Sequence, residues 1–113
     1  MRLAPSEVSA VIAALSPFLP LDFAGSLLLF GSRTNDAAYG GDIDLALVVQ
    51  KSEDSHKLKL VDYKIVAAIK RQKVIGDRRI DFKVLNREEA EIGFFHEALK
   101  NSIILNEWSA IKA

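Results

Sequence analysis

The chain has no cysteine, so neither a disulfide nor a thiolate metal site is available to it, and its redox compartment is left unconstrained. It also has no excess of either charge: 15 Lys and Arg face 15 Asp and Glu, a formal net charge of zero. A sequence-independent grip on a nucleic-acid backbone needs a basic surface, so this balance argues against direct nucleic-acid binding while leaving room for a small basic patch. No apolar run approaches the roughly 20 residues that span a bilayer, which argues against a membrane segment. The N-terminal stretch, with Glu7 and helical spacing inside it, fits a secretory signal poorly. Repeats, linkers and low-complexity segments are absent as well. What remains is half apolar and about a quarter charged, at 113 residues too short for two ordinary cores. The expectation is a single domain over residues 1–113, soluble and cytoplasmic.

Helix and strand patterns alternate along the chain. Val8, Val11, Ile12 and Leu15 stand at helical spacing behind Pro5, and Pro17 and Pro20 are expected to end that helix. Ser26 to Phe30 predicts a short apolar strand closed by Gly31. Asn35 to Gly41 is rich in turn formers and leads into a second strand, Asp42 to Gln50. The later half of that strand is apolar on both faces, as expected of a central strand. Leu58, Val61, Ile65, Ala68 and Ile69 predict one long amphipathic helix from about Ser55, with Lys57, Lys64 and Lys70 on its other face and Gly76 as its C-terminal cap. Arg78 to Leu85 predicts a third strand. Asn86 with Glu89 forms a capping pattern for a further helix containing Ile92, Phe95 and Leu99. Ser102 to Leu105 predicts a short edge strand. Phe94, Phe95, Trp108 and the run Ile103-Ile104-Leu105 are expected in the core, with a partner or dimer interface as the alternative. His56 and His96 are read as surface or helix-packing residues.

The chemistry concentrates between Leu27 and Val49. Asp42 and Asp44 are separated by one residue at the start of a strand, so they point to one face with Cα atoms about 6.5 Å apart. An aspartate near a strand end is most often a turn residue or a solvated charge. Asp44, however, shares its face with Ala46 and Val48, and a carboxylate beside apolar neighbours needs a cation or a donor. Asp81, between Ile80 and Phe82, lies on the face that also carries Lys83 and Leu85. If the second and third strands are neighbours, three carboxylates converge on one face. Magnesium takes oxygen ligands and retains several waters while binding substrate phosphates, so three aspartates and a triphosphate would complete two such sites. Gly31 and Ser32, directly after an apolar strand and ten positions before the Asp pair, would let backbone and a hydroxyl approach phosphate oxygens. Arg33 either lies over those phosphates or is simply exposed.

Gly-Ser, nine residues, then Asp-x-Asp, followed one helix later by a single strand Asp, resembles the DNA polymerase β-type nucleotidyltransferase superfamily, and the short length resembles its minimal nucleotidyltransferases. The likeness covers about Leu27 to Leu85. It implies an α/β palm, a small mixed sheet flanked by helices, with Gly31 and Ser32 holding the triphosphate of ATP or another NTP. It further implies that Asp42, Asp44 and Asp81 surround two Mg²⁺ ions, with Asp81 helping to activate the attacking hydroxyl. Many such proteins read Gly-Ser-x-Ala-x-Gly, whereas this chain has Gly-Ser-Arg-Thr-Asn-Asp. The departure touches loop geometry and nucleotide preference rather than the metal positions. Minimal members resemble the antitoxin half of a pair whose partner is a small helical HEPN protein, which implies adenylylation of that partner, commonly on tyrosine. No arginine–histidine ribonuclease motif of the HEPN kind is present in this chain. Two alternatives stand beside this reading: a transferase for a small molecule, its pocket completed by a second chain in a homo- or hetero-oligomer, and an antitoxin-like protein that binds nucleotide and inhibits by contact.

Overall fold

Hydrophobic alternation decides which strands lie inside the sheet. The computed structural model describes residues 3–30 and 42–109. Four strands, β1 (Gly25–Leu29), β2 (Ile43–Val49), β3 (Ile80–Asn86) and β4 (Ile103–Trp108), form one sheet in the order β3-β2-β1-β4. β1 runs antiparallel to both β2 and β4, while β2 and β3 are parallel, so the sheet is mixed. A parallel pair needs a long crossover, and the segment between β2 and β3 supplies it with α2 (Ser52–Leu60) and α3 (Asp62–Lys70). The fold is a small mixed α/β sheet flanked by helices, as the sequence predicted. β2, apolar on both faces beyond Asp44, lies between β3 and β1.

The two faces of the sheet differ sharply. One carries Leu27, Leu29, Ile43, Leu45, Leu47, Val49, Phe82 and Val84, packed against Val11 and Leu15 of α1 (Pro5–Leu15), Leu58 of α2 and Ile65 and Ile69 of α3. Each large aliphatic side chain buried there contributes about 1.5–3 kcal/mol, and most of them are fully enclosed. The opposite face holds a smaller cluster, Phe30, Ala46 and Leu85, with Leu28, Ala90, Phe95 and Leu99 packed on it. Those last three come from α4 (Arg87–Ala90) and α5 (Gly93–Leu99). This thinly covered face is the one that bears Asp44, Asp81 and Lys83.

Local departures from the sequence pattern have physical causes. The long helix is two, broken at Val61 (φ −118°, ψ 15°), although Leu58, Ile65 and Ile69 still share the core face. Half-buried, β-branched Val61 packs on the core, and Asp62 opens α3, where a carboxylate favours the positive end of the helix. Gly76 does not cap α3, whose C-cap is Arg71; its positive φ (64°) closes the following turn, its N–H donating to the Gln72 carbonyl. Pro17 opens a 3-10 turn, Ser16–Phe18, immediately after α1.

The Asn86–Glu89 capping box forms as expected: Glu89 N–H donates to Asn86 Oδ1 at 2.8 Å, and Asn86 N–H to Glu89 Oε1 at 3.0 Å. The helix it starts lasts one turn, and Gly93 in the left-handed region (φ 52°) begins another. Ile92 therefore falls between α4 and α5 and is exposed rather than on a buried helical face. Ile103 and Ile104, expected in the core, are exposed too, because β4 is an edge strand with a register shift opposite Leu27 and Leu28. Leu105 and Trp108 do reach the core, Trp108 edge-on to Phe23 at 5.5 Å between ring centroids. Phe95 is half-buried on the smaller cluster, and His56 and His96 are exposed.

Candidate active site

Asp44 and Asp81 are register partners on adjacent parallel strands, which places them side by side about 4.8 Å apart across the sheet. Asp42 lies two residues before Asp44, just ahead of β2. The condition on which the convergence of carboxylates depended, that the second and third strands be neighbours, is met. Asp44 is half-buried, while Asp42 and Asp81 are exposed.

The electrostatics follow from that placement. Burial pushes the Asp44 carboxyl above the usual carboxylate range, and the charges of Asp81 and Asp42 push it the same way. Lys83 opposes the shift. Its Nζ stands 3.5 Å from Asp81 Oδ1, and its register partner is Ala46. Among the described residues, no three His, Asp or Glu side chains are drawn together tightly enough to hold a metal ion as they stand. The arrangement is two adjacent carboxylates, a third within electrostatic reach, and one ammonium beside them.

Backbone and ion-pair contacts fix this end of the sheet. Phe30 N–H donates to the Asp44 carbonyl at 3.0 Å, and Ile43 N–H to the Arg79 carbonyl at 2.9 Å. Arg78, just before β3, pairs with Glu7, whose other oxygen accepts from Ala4 N–H at the start of α1. Glu7 thus ties the first helix to the strand that carries Asp81. Phe30, at the end of β1, and Asp42, ahead of β2, both lie at the carboxylate end of the sheet. Gly31, Ser32 and Arg33, the expected phosphate-binding residues, lie outside the described residues, as do Gly40 and Gly41.

Two features of this face were not assigned from sequence. Lys83 had a visible signal, since period two from Asp81 puts it on the carboxylate face. The other is a groove of about 270 Å³ lined by residues including Ser26, Val48, Gln50, Arg87 and Glu107. It lies four residues along β2 from Asp44, about 13 Å away, and is separate from the carboxylates.

The family described as Polymerase beta, Nucleotidyltransferase matches residues 24–110, which include all four strands and all three aspartates. The chain belongs to this nucleotidyltransferase family, and its general activity is that of a transferase. No curated protein is similar enough to count as a match. No helix among the described residues is long and apolar enough to cross a membrane.

Proposed function

We propose that the chain is a Mg²⁺-dependent nucleotidyltransferase that moves a nucleoside monophosphate, AMP from ATP, to a hydroxyl of a small helical HEPN-type partner, as an antitoxin. In this reading it acts as one minimal cytoplasmic domain. The observation that carries the reading is the pairing of Asp44 with Asp81 in a matched nucleotidyltransferase palm. The donor set suits a hard divalent cation. It consists of carboxylate oxygens, and it includes one carboxyl whose charge is disfavoured by burial and by its neighbours, so a cation there relieves both. Mg²⁺ takes only one or two carboxylates from the protein and the rest of its oxygens from water and substrate phosphate, so no closed protein cage is required.

Asp42 and Asp44 would hold the ions, with Asp81 beside them. Bound Mg²⁺ would lower the pKa of the acceptor hydroxyl and stabilise charge on the leaving phosphate. Gly31 and Ser32 would donate to the triphosphate, and Arg33 would lie over it. A carboxylate oxygen of Asp81 would take the acceptor proton as the acceptor oxygen bonds to the α-phosphorus. The bond from α-phosphorus to the β-bridging oxygen then breaks and pyrophosphate leaves. The likeness to minimal nucleotidyltransferases, whose partners are small helical proteins, supports a second protein as the source of the acceptor hydroxyl.

The test is to incubate the chain with Mg²⁺, ATP and the small helical protein encoded beside it. The partner should gain one or more AMP masses, and none with Asp42→Asn. A partner neutralised without mass change would support inhibition by contact. Modification of a free small molecule would support the small-molecule transferase.

A further inference from the structure

The described ion pairs are not alike. Lys51–Asp22, Lys59–Glu89 and Lys100–Glu97 close at 2.8, 2.7 and 3.0 Å, and all lie away from the carboxylates. Lys83–Asp81 stands open at 3.5 Å, with both side chains about half-exposed, so the ammonium can swing away without leaving water. Its position is set by the fold: two residues after Asp81 on β3, opposite Ala46 on β2, on the same face as Asp44. Among the described residues, Asp42, Asp44 and Asp81 stand at this end of the sheet with the Lys83 ammonium beside Asp81, and a divalent cation there would offset two of the carboxylate charges. The oxygen that faces Lys83, Asp81 Oδ1, belongs to the carboxylate that stands beside the proposed ions.

We infer that Lys83 is the resident counter-ion of this site: its ammonium occupies the place of a divalent cation against Asp81 in the metal-free protein and gives it up when the metal binds. Lys83 is thus a positioning residue whose charge raises the concentration of free metal needed to load the site. The triphosphate of an incoming nucleotide brings negative charge of its own and offers the displaced ammonium a new partner. Loading of metal together with nucleotide is favoured over loading of metal alone. This inference rests on the proposed role of the aspartates, and its test separates the two.

The experiment is a titration of the nucleotide-free protein with Mn²⁺, following free Mn²⁺ by electron paramagnetic resonance. Removing one positive charge beside a divalent ion, at a half-exposed and screened position, should tighten binding about three- to tenfold in Lys83→Met. Lys83→Arg, which keeps the charge, should match the wild type and controls for loss of packing. In an Asp81→Asn background the gain from Lys83→Met should shrink to the through-space repulsion that Lys83 exerts from beside Asp44, and an undiminished gain would overturn the pairing with Asp81. If the wild type binds Mn²⁺ through Asp44 and Lys83→Met binds no tighter, the counter-ion role is overturned and the metal site stands. If the wild type shows no Mn²⁺ binding that Asp44→Asn removes, both fall.

Discussion

Replacing Asp44 by Asn should make the metal-free protein more stable while removing its response to Mg²⁺ and nucleotide. Asp44 faces Asp81 across one strand spacing and is half-buried, so its charge is disfavoured by burial and by two like charges. Two unit charges about 5 Å apart repel by about 1–3 kcal/mol for effective dielectric constants between bulk water and a protein surface. Solvent screening and the nearby Lys83 reduce this to about 0.5–1.5 kcal/mol, or roughly 2–8 °C in Tm for a chain of this size. The pH dependence fixes the sign. The folded-state pKa of Asp44 lies above its unfolded value of 3.8, so the folded protein holds that proton more tightly than the unfolded chain does. Stability contributed by Asp44 is therefore greatest below 3.8, falls as pH rises towards the raised value, and stays low at neutral pH. The Tm advantage of Asp44→Asn should be full at pH 7, fade as the pH falls through the raised value towards 3.8, and be gone below it. Melts across this range, with and without Mg²⁺-ATP, measure both effects. An advantage absent at pH 7, or undiminished in acid, would refute the electrostatic argument. Equal stabilisation of wild type and variant by Mg²⁺-ATP would refute the assignment of Asp44 to the metal.

Gly25→Ala should destabilise the fold by about 1–3 kcal/mol, because a Cβ at Gly25 would overlap the Val48 carbonyl oxygen and the Phe23 ring. Urea unfolding checks this, and an unchanged midpoint would show that the strands part easily at that point. Ser32→Ala should weaken triphosphate binding by about 1.5–3 kcal/mol, the worth of one donor to a charged oxygen. Asp81→Asn should keep most nucleotide binding and lose transfer. Titration of both with a non-hydrolysable ATP analogue decides, and loss of binding in Asp81→Asn as severe as in Asp42→Asn would make Asp81 a structural member of the cluster.

Much of the fold was written in local pattern. Short apolar runs bounded by turn residues located all four strands, and the spacing of Asn86 and Glu89 marked a helix start that the structure realises with both hydrogen bonds. Asp44 and Asp81 were legible as same-face carboxylates, but only the parallel register of β2 and β3 makes them neighbours, and register is a tertiary property. The rest was hidden for similar reasons. Leu58, Val61 and Ile65 keep helical spacing across a break that depends on backbone geometry at one residue, so periodicity read one helix where there are two. Ile103 and Ile104 carry a core composition, yet an edge strand leaves them exposed. Glu7 and Arg78 are 71 residues apart, beyond the reach of any local pattern.

Nucleotidyl transfer leaves a different mark on each phosphate of ATP, so the phosphates are followed separately. The chain, Mg²⁺ and the small helical partner are incubated with ATP labelled at either the α- or the γ-phosphate. α-Label should appear covalently on the partner and γ-label only in released pyrophosphate, with neither movement in Asp42→Asn or Asp44→Asn. Transfer of γ-label to the partner, or α-label transfer that survives both substitutions, would contradict nucleotidyl transfer at this site.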